Sequence, residues 1–163
     1  MSTYVSVLVL ASMLAACTSL PPHDPMDAYR RYEQALNAGD VAATAAVWAA
    51  DASFAGALGC PMPRPCISRA AIRSGFIEPA VAMKMQHQMV GEPEPDGADG
   101  ATVRLQIGWP GMEKIAQGVT RIRGIDRFRV KDGQIVSKVF TRDLADAQTR
   151  AFYDAVKSAP PQR

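Results

Sequence analysis

Two of the three cysteines lie close together, in the segment GCPMPRPCIS at residues 59–68. Cys60 and Cys66 are separated by five residues, three of which are prolines. Such a pair could form a disulfide, ligate a metal or exchange electrons. A structural zinc site needs four ligands, and no further Cys or His lies nearby in the sequence. Redox-active pairs usually have two intervening residues and a helix that starts at the first cysteine. The spacing therefore favours a structural disulfide that fixes a local turn.

The third cysteine, Cys17, follows an apolar run at residues 5–16, VSVLVLASMLAA. This run is shorter than the roughly 20 residues that cross a bilayer, and it is typical of the apolar part of a secretion signal. Its end, LAAC, resembles the lipobox of bacterial lipoproteins, in which the cysteine is lipidated. The resemblance implies a signal peptide at residues 1–16, a membrane anchor at Cys17 and a domain that faces the periplasm, where paired thiols stay oxidised. An ordinary cleaved secretory peptide and a buried N-terminal helix are the alternatives.

A histidine lies in an alternating segment, MKMQHQM, at residues 83–89. In a strand, His87 would share one face with Met83, Met85 and Met89. Thioether and imidazole ligands suit Cu(I), but side chains on one face of a single strand stand about 7 Å apart and point in parallel. We therefore predict neither a metal site nor a cofactor. The methionines are expected in the core or in an adaptable pocket, and His87 is either a satisfied buried histidine or a polar group of that pocket.

The charge pattern gives no sign of a nucleic-acid partner. Net charge is +2, with acidic and basic residues mixed along the chain, whereas nucleic-acid-binding proteins concentrate basic residues on one surface. Residues 17–163 suffice for one domain with a core and are too few for two. Residues 17–25 are predicted to be a tether, residues 26–157 the domain and residues 158–163 a flexible tail. One strand carries a row of arginines predicted to form a solvated or subunit-facing surface: Arg121, Arg123, Arg127 and Arg129.

Hydrophobic periodicity predicts helices first and strands afterwards. Helices are predicted from Met26 to the Asn-Ala-Gly at 37–39, from Asp40 to Trp48 and from Ser68 to Glu78-Pro79, with a short strand at Phe54. Four alternating strands follow, at residues 83–90, 101–109, 118–130 and 134–141, and a helix at residues 143–157 ends the domain. This order predicts an α+β fold in which a curved antiparallel sheet wraps around the N-terminal helices.

The order of elements and four sequence segments resemble the SnoaL-like branch of the nuclear transport factor 2-like superfamily. The segments are YRRYEQALNAGD, AADASF, CISRAAIRSGF and GIDRFRVKDGQI, all within residues 26–143. The resemblance implies a cone-shaped fold with a pocket between sheet and helices, often dimeric through the sheet. It implies function only weakly, because the superfamily includes cyclases, isomerases, dehydratases, hydrolases and members without known chemistry.

The ketosteroid isomerases of this superfamily suggest roles for three positions. They use a carboxylate base, together with a tyrosine and a protonated aspartic acid that stabilise the enolate oxygen. Tyr32 falls on the position of that tyrosine and Asp126 on that of the aspartic acid, whereas Ala55-Gly56 stands where the isomerases carry the base. The resemblance thus implies an oxyanion-binding pair without a proton acceptor. A bulge at Gly124 could turn Asp126 away from the apolar face of its strand, and a purely structural role in the core is the alternative for Tyr32.

These patterns together predict a lipid-anchored envelope domain whose pocket binds a small, largely apolar molecule. The residues expected to line the pocket are Tyr32, Trp48, Phe54, Phe76, His87, Trp109 and Asp126. A binding or accessory protein without turnover is favoured because Gly56 replaces the base. One alternative is an enzyme of the cyclase, isomerase or dehydratase kind that uses His87 or Asp126 as general acid or base. Another is a non-catalytic scaffold that pairs through its sheet, as a homodimer or with another protein.

Overall fold

The structure is a computed structural model that describes residues 24–57 and 59–159. The predicted signal peptide at residues 1–16, the predicted lipidation site Cys17 and most of the predicted tether lie outside these residues, as do residues 160–163. Among the described residues, no helix has the length and apolar character needed to cross a membrane.

Two helices open the domain, each capped by an aspartate. In α1 (Pro25–Asn37) the carboxylate of Asp24 accepts a hydrogen bond from the backbone N–H of Met26, at 2.9 Å, and α2 (Val41–Ala46) is capped in the same way by Asp40. Both caps satisfy amide groups that a helix start leaves unpaired. The prediction that α2 continues to Trp48 is wrong. The alanine-rich sequence favours a helix locally, but Trp48 pairs with Ile135 in the sheet, and this tertiary pairing overrides local propensity.

The third predicted helix is longer than expected and irregular. It consists of α3 (Arg69–Ile72), a π-helical turn (Arg73–Ile77) and α4 (Glu78–Ala82). The prediction that Glu78-Pro79 ends it is wrong, because the π turn lets a new helix begin at Glu78. Pro79 then lies in the first turn of α4. Backbone N–H groups in the first turn of a helix have no partner within it, so proline, which lacks this group, is tolerated there.

The strands form one curved sheet of seven. They are β1 (Trp48–Ala55), β2 (Cys66–Ile67), β3 (Gln86–Met89), β4 (Glu94–Pro95), β5 (Gly100–Gly108), β6 (Ile122–Lys131) and β7 (Gln134–Arg142). The order across the sheet is β2-β1-β7-β6-β5-β3, and β4 also pairs with β5. The predicted α+β cone is confirmed, with one difference: β1 runs parallel to β7, while every other described pairing is antiparallel.

Three boundaries near the open end of the cone differ from the prediction. The strand expected at residues 83–90 is confined to β3, because Met83 caps α4 and Lys84 turns the chain with a φ of 55°. A short helix, α5 (Met112–Ile115), occupies the turn expected between β5 and β6. The last helix, α6 (Ala147–Ser158), starts later than the predicted residue 143. Asp146 is its N-cap, and its carboxylate accepts a hydrogen bond from the backbone N–H of Thr149.

The core lies between α1 and the concave face of the sheet. The apolar stripe of α1 buries Tyr29, Tyr32 and Leu36 almost completely, and it contacts strands β3, β5, β6 and β7. α6 docks differently, at the start of β6, where the Thr149 hydroxyl accepts a hydrogen bond from the backbone N–H of Arg123 at 2.7 Å. This contact directs α6 across the open end of the cone.

The convex side of the sheet carries the predicted row of arginines. These side chains are paired with carboxylates across the surface: Arg121 and Arg123 with Asp146, Arg127 with Asp96, and Arg129 with Asp99. Exposed ion pairs of this kind contribute little to stability. They make the outer side of β6 polar and charged.

The predicted disulfide joins Cys60 to Cys66, whose Cα atoms are 5.0 Å apart. It packs against the π turn at Gly75, where an added Cβ would lie 2.8 Å from the sulfur of Cys66 and 3.1 Å from that of Cys60. The absence of a side chain at Gly75 is therefore what lets the proline-rich loop sit against the helix. The disulfide anchors this loop beside the wall of the cavity described next, because Phe76 follows Gly75 directly.

Candidate functional site

A cavity of about 320 Å³ lies between the concave face of the sheet, the π turn and α6. Its walls are almost entirely apolar and aromatic. The side chains that line it are Phe54, Ala57, Phe76, Met83, Met85, His87, Ile107, Trp109, Ile115, Ile122, Lys138, Phe140, Phe152, Tyr153 and Val156. Three of these side chains contain nitrogen: His87, Trp109 and Lys138. Polar recognition inside the cavity therefore depends on few groups.

The mouth of the cavity is built by α5 and α6. Trp109 packs edge-on against Phe152, with ring centroids 5.4 Å apart, and the guanidinium of Arg142 lies 4.1 Å from the centroid of the Tyr153 ring. Ile115 and Val156 line the cavity and are each 45% exposed. Large apolar side chains with this exposure beside a cavity mark an entrance where an apolar molecule can pass from solvent to the interior.

His87 lies in the cavity wall, and its backbone is held rigidly. The side-chain amide of Asn37 in α1 donates to the His87 carbonyl and accepts from its N–H, both at 2.7 Å. The imidazole is only 4% exposed and packs between the rings of Tyr32 and Phe76, at centroid distances of 5.9 and 6.3 Å. Neither ring nitrogen has a hydrogen-bond partner among the described residues.

The environment of His87 keeps the imidazole neutral. Burial lowers the pKa of His87 well below 6.5, and the nearby positive charge of Lys138 lowers it further. A neutral imidazole has one N–H donor and one acceptor nitrogen. Leaving both unpaired in a buried position is unfavourable, by about 1–3 kcal/mol for each group. The site therefore offers an unmet donor and an unmet acceptor to a molecule in the cavity.

Lys138, on β7, lies at the inner end of the cavity and is the principal residue that the sequence analysis missed. Its side chain is 1% exposed, and its ammonium donates to Asp126 Oδ2 at 2.8 Å and to the Tyr32 hydroxyl at 3.0 Å. The same nitrogen lies 4.8 Å from the centroid of the Phe54 ring. Burial lowers the pKa of Lys138, an effect that the Asp126 carboxylate opposes. Lys138 thus connects the cavity to a buried polar cluster.

That cluster consists of Asp126, Tyr29, Tyr32 and Lys138. Asp126 is fully buried and its Oδ2 also accepts a hydrogen bond from the Tyr29 hydroxyl at 2.9 Å, while Oδ1 has no partner in the part of the chain that the structure describes. Burial raises the pKa of both tyrosines well above 10, and the Asp126 charge adds to the effect. Asp126 therefore acts as an acceptor ion-paired with Lys138. The donor role that the isomerase resemblance implies for Asp126 stays a prediction, and in this structure Oδ2 accepts hydrogen bonds from Lys138 and Tyr29.

The seven predicted pocket residues divide into two layers. Phe54, Phe76, His87 and Trp109 line the cavity. Tyr32, Trp48 and Asp126 are fully buried one layer behind the lining. Lys138 stands between the cavity and this second layer, since its ammonium donates to the Tyr32 hydroxyl and to Asp126 Oδ2.

Two glycines explain how the inner wall is shaped. The expected alternative of a bulge at Gly124 is not observed, since β5 and β6 pair in continuous register through this residue. Gly124 instead makes room for the Phe140 ring, which an added Cβ would overlap. Gly56, at the position where isomerases carry their base, has a φ of +107° and lies against the backbone of Phe140. No side chain can be accommodated there without moving β7.

The neutral state of His87 leads to a prediction about pH. On unfolding, His87 regains a pKa near 6.5 and binds a proton below that pH, whereas the folded protein keeps it neutral. Since the unfolded state then binds more protons, stability falls as pH decreases. Between pH 6.5 and 5 the native protein should lose about 1.5 kcal/mol more unfolding free energy than the His87→Phe variant. Urea denaturation of both proteins across this range tests the prediction, and parallel pH profiles would contradict it.

Comparison with known proteins places this geometry in a familiar fold. The family model described as "SnoaL-like domain" matches residues 29–138, which include most of α1 as well as His87, Asp126 and Lys138. No significant match was found among curated proteins. Many solved structures are similar, and the three described next share less than a fifth of their residues with this chain.

One similar structure is a Mycobacterium tuberculosis protein in complex with estradiol-17beta-hemisuccinate, with a TM-score of 0.61, 19% identity, and coverage of 76% of this chain and 97% of that one. Another is the Delta 5-3-ketosteroid isomerase from a Mycobacterium species, with a TM-score of 0.57, 18% identity and coverage of 74% and 95%. A third is an epoxide hydrolase/cyclase-like enzyme of pyran ring formation in the polyether salinomycin, with a TM-score of 0.59, 18% identity and coverage of 75% and 92%. These similarities establish the fold.

Proposed function

We propose that this chain, which belongs to the family of SnoaL-like domains, binds a small, largely apolar molecule in its cavity without converting it. We also propose that it is a lipid-anchored protein of the cell envelope. The observation that carries the proposal is the neutral, buried His87, whose two ring nitrogens have no partner among the described side chains although it lines an apolar cavity. Buried polar groups are almost always hydrogen-bonded. A bound molecule with a polar end would supply the missing partner.

The size and lining of the cavity restrict the chemistry of that molecule. A volume of about 320 Å³ lies at the lower end of the range for small-molecule sites, about 300–1,000 Å³. Aromatic and aliphatic walls favour an apolar body of one or a few rings. A hydroxyl or carbonyl at the inner end would reach His87 and Lys138. The steroid ester bound by the Mycobacterium tuberculosis neighbour supports an apolar molecule with a polar substituent.

Three features argue against turnover by proton transfer. A general acid and base must lie within hydrogen-bond reach of the proton that they move. His87 has no titratable partner at that distance within the described chain, Asp126 does not line the cavity and meets it only at Lys138, and Gly56 leaves no room for a carboxylate. Binding without conversion is therefore the function that this arrangement supports best.

The cellular location is proposed from the sequence. The LAAC segment that ends at Cys17 supports lipidation, and the Cys60–Cys66 disulfide is consistent with an oxidising compartment. Several acyl chains, each contributing about 0.8 kcal/mol per buried methylene, would anchor a domain of this size durably. Cell fractionation tests the anchor: Cys17→Ser should leave the membrane fraction, and an unchanged distribution would refute lipidation at this residue.

The binding proposal predicts a preference for a polar substituent. 2-Naphthol and naphthalene have the same apolar body, and only 2-naphthol can hydrogen-bond to His87. The native protein should bind 2-naphthol about 5- to 30-fold more tightly, which corresponds to about 1–2 kcal/mol for a hydrogen bond in a dry site. The His87→Phe variant should lose this preference. Isothermal titration calorimetry of both compounds measures it.

A neighbouring substitution provides the control. Gln88 follows His87 on β3 and its side chain is exposed, so Gln88→Leu should keep the preference for 2-naphthol. If neither compound binds the native protein, the cavity does not serve as a binding site for aromatic molecules. If His87→Phe keeps the preference, His87 is not the group that recognises the polar end.

A further inference from the structure

We propose that Lys138 captures carbonyl compounds covalently: the amine at the inner end of the cavity forms a reversible imine with an apolar aldehyde or ketone. This inference rests on the proposed function, because it assigns a substrate class to the same cavity. Its foundation is the position of Lys138, whose side chain lines the cavity and is 1% exposed, in contact with a carboxylate and a phenol.

The surroundings of Lys138 differ from those of every other lysine in the chain. Lys84, Lys114, Lys131 and Lys157 are exposed. The nitrogen of Lys138 instead lies 4.8 and 5.6 Å from the ring centroids of Phe54 and Phe76, both of which line the cavity. Burial among these rings lowers the pKa of Lys138. Desolvation of this kind is one way in which proteins activate a lysine as a nucleophile.

Asp126 is placed to move the protons that the reaction requires. Its Oδ2 lies 2.8 Å from the Lys138 nitrogen and can accept one proton from the ammonium. The neutral amine then attacks the carbonyl carbon, forming a C–N bond while the carbonyl electron pair moves to oxygen. A proton passes from this nitrogen to that oxygen and gives a carbinolamine.

The second half of the reaction returns the proton. Asp126 donates its proton to the carbinolamine hydroxyl, which leaves as water while the nitrogen lone pair forms the C=N bond. The products are a protonated imine, one water molecule and the original Asp126 carboxylate, so that no oxidant or reductant is consumed. The imine cation remains beside Asp126, as the lysine ammonium was before the reaction. Hydrolysis by the reverse path releases the carbonyl compound unchanged.

His87 and the cavity walls favour a particular form of substrate. The carbonyl must be at the end of the molecule that enters first, because Lys138 lies at the inner end, and the rest must be apolar to fill the aromatic walls. The free N–H of neutral His87, which has no partner in the described structure, can donate to the carbonyl or carbinolamine oxygen. An aryl or alkyl aldehyde fits this description better than a sugar or a keto acid.

Borohydride trapping tests the proposal in the native protein. 2-Naphthaldehyde is added at pH 7, the imine is reduced with sodium borohydride, and peptide mass spectrometry locates the naphthylmethyl group. Lys138 should be labelled at least about ten-fold faster than any exposed lysine, because the cavity that it lines holds the aldehyde beside its amine and such positioning raises the effective concentration of the reactants. The unreactive alcohol 2-naphthalenemethanol should slow labelling of Lys138 and leave that of Lys84 unchanged.

The alcohol distinguishes failure of this inference from failure of the binding proposal. If the alcohol binds in calorimetry but the aldehyde labels only exposed lysines, imine formation at Lys138 is refuted while binding stands. If neither compound binds and Lys138 is not labelled, both proposals fail. A Lys138→Arg variant, which keeps a cation beside Asp126, should bind the alcohol and yield no adduct at this position. An adduct on Lys138 that the alcohol does not slow would mean that the reaction takes place outside the cavity, and would overturn the proposal.

Discussion

The Lys138→Met protein should have an unfolding free energy about 3–5 kcal/mol lower than that of the native protein, because breaking a buried ion pair leaves the other charge uncompensated. Methionine approximates the length and apolar stem of lysine, so packing in the cavity wall is largely kept. What is lost is the ammonium that lies 2.8 Å from Asp126 Oδ2. The Asp126 carboxylate would then retain only the hydrogen bond from Tyr29. Urea denaturation at pH 7 measures the difference.

Two further variants show whether the loss comes from the charge pair. Lys131→Met removes an exposed lysine at the end of β6, and it should change stability by no more than about 0.5 kcal/mol. The double variant Lys138→Met/Asp126→Leu removes both charges and should recover most of the loss, since buried ion pairs can often be replaced by apolar residues without net destabilisation. A loss below about 1 kcal/mol in Lys138→Met would mean that Asp126 does not depend on this lysine.

Much of the fold could be predicted because its signals are local. The apolar stripe of α1 and the capping aspartate of α2, Asp40, indicate these helices, and the sequence alternation of β5 and β6 places apolar side chains towards the core. The disulfide between Cys60 and Cys66 follows from the spacing of the two cysteines. Each of these depends on residues within about one element of one another.

The wrong boundaries arise where the surrounding structure overrides the local sequence pattern. Trp48 is a strand residue because of pairing with Ile135 on β7, which the local helical pattern does not reveal. Pro79 normally ends a helix, but the π turn before it restarts the helix in a register that tolerates proline. Helix propensity is a weak preference that such tertiary contacts override.

The missed lysine shows a limit of reading residues by type. A lysine in a strand is usually on the solvent side, since lysine is almost never fully buried unless paired. The pairing was nevertheless accessible from the hairpin that joins β6 to β7. Asp126 lies opposite Phe140 and Phe128 lies opposite Lys138, which makes Asp126 and Lys138 diagonal neighbours on the inner face. Such diagonal pairs are within reach of long side chains, so the register of this hairpin would have indicated the ion pair.

Position 56, where the isomerase resemblance places the base, is occupied by a glycine packed against the backbone of Phe140. The Gly56→Asp variant should lose about 2–6 kcal/mol of stability, the sum of backbone strain and overpacking, each about 1–3 kcal/mol. Its φ is +107°, and an added Cβ would overlap the Phe140 carbonyl oxygen and lie 2.9 Å from the carbonyl carbon. Backbone atoms of a central strand cannot rotate away as a side chain would.

Gly111→Asp separates the two contributions. Gly111 has a similar φ of +94° but nothing within 4 Å of an added Cβ, so this variant should lose only the strain of the backbone, about 1–3 kcal/mol. The difference between the two variants in urea denaturation then measures the clash with β7. Equal stabilities would show that β7 moves easily and that position 56 can hold a carboxylate.

Isomerisation of a β,γ-unsaturated ketone tests catalysis directly. We expect no detectable isomerisation by the native protein, and if Gly56→Asp is as stable as Gly111→Asp, the same assay is applied to Gly56→Asp. Turnover by the native protein itself would refute binding without conversion, because the required base would then lie at a position other than 56.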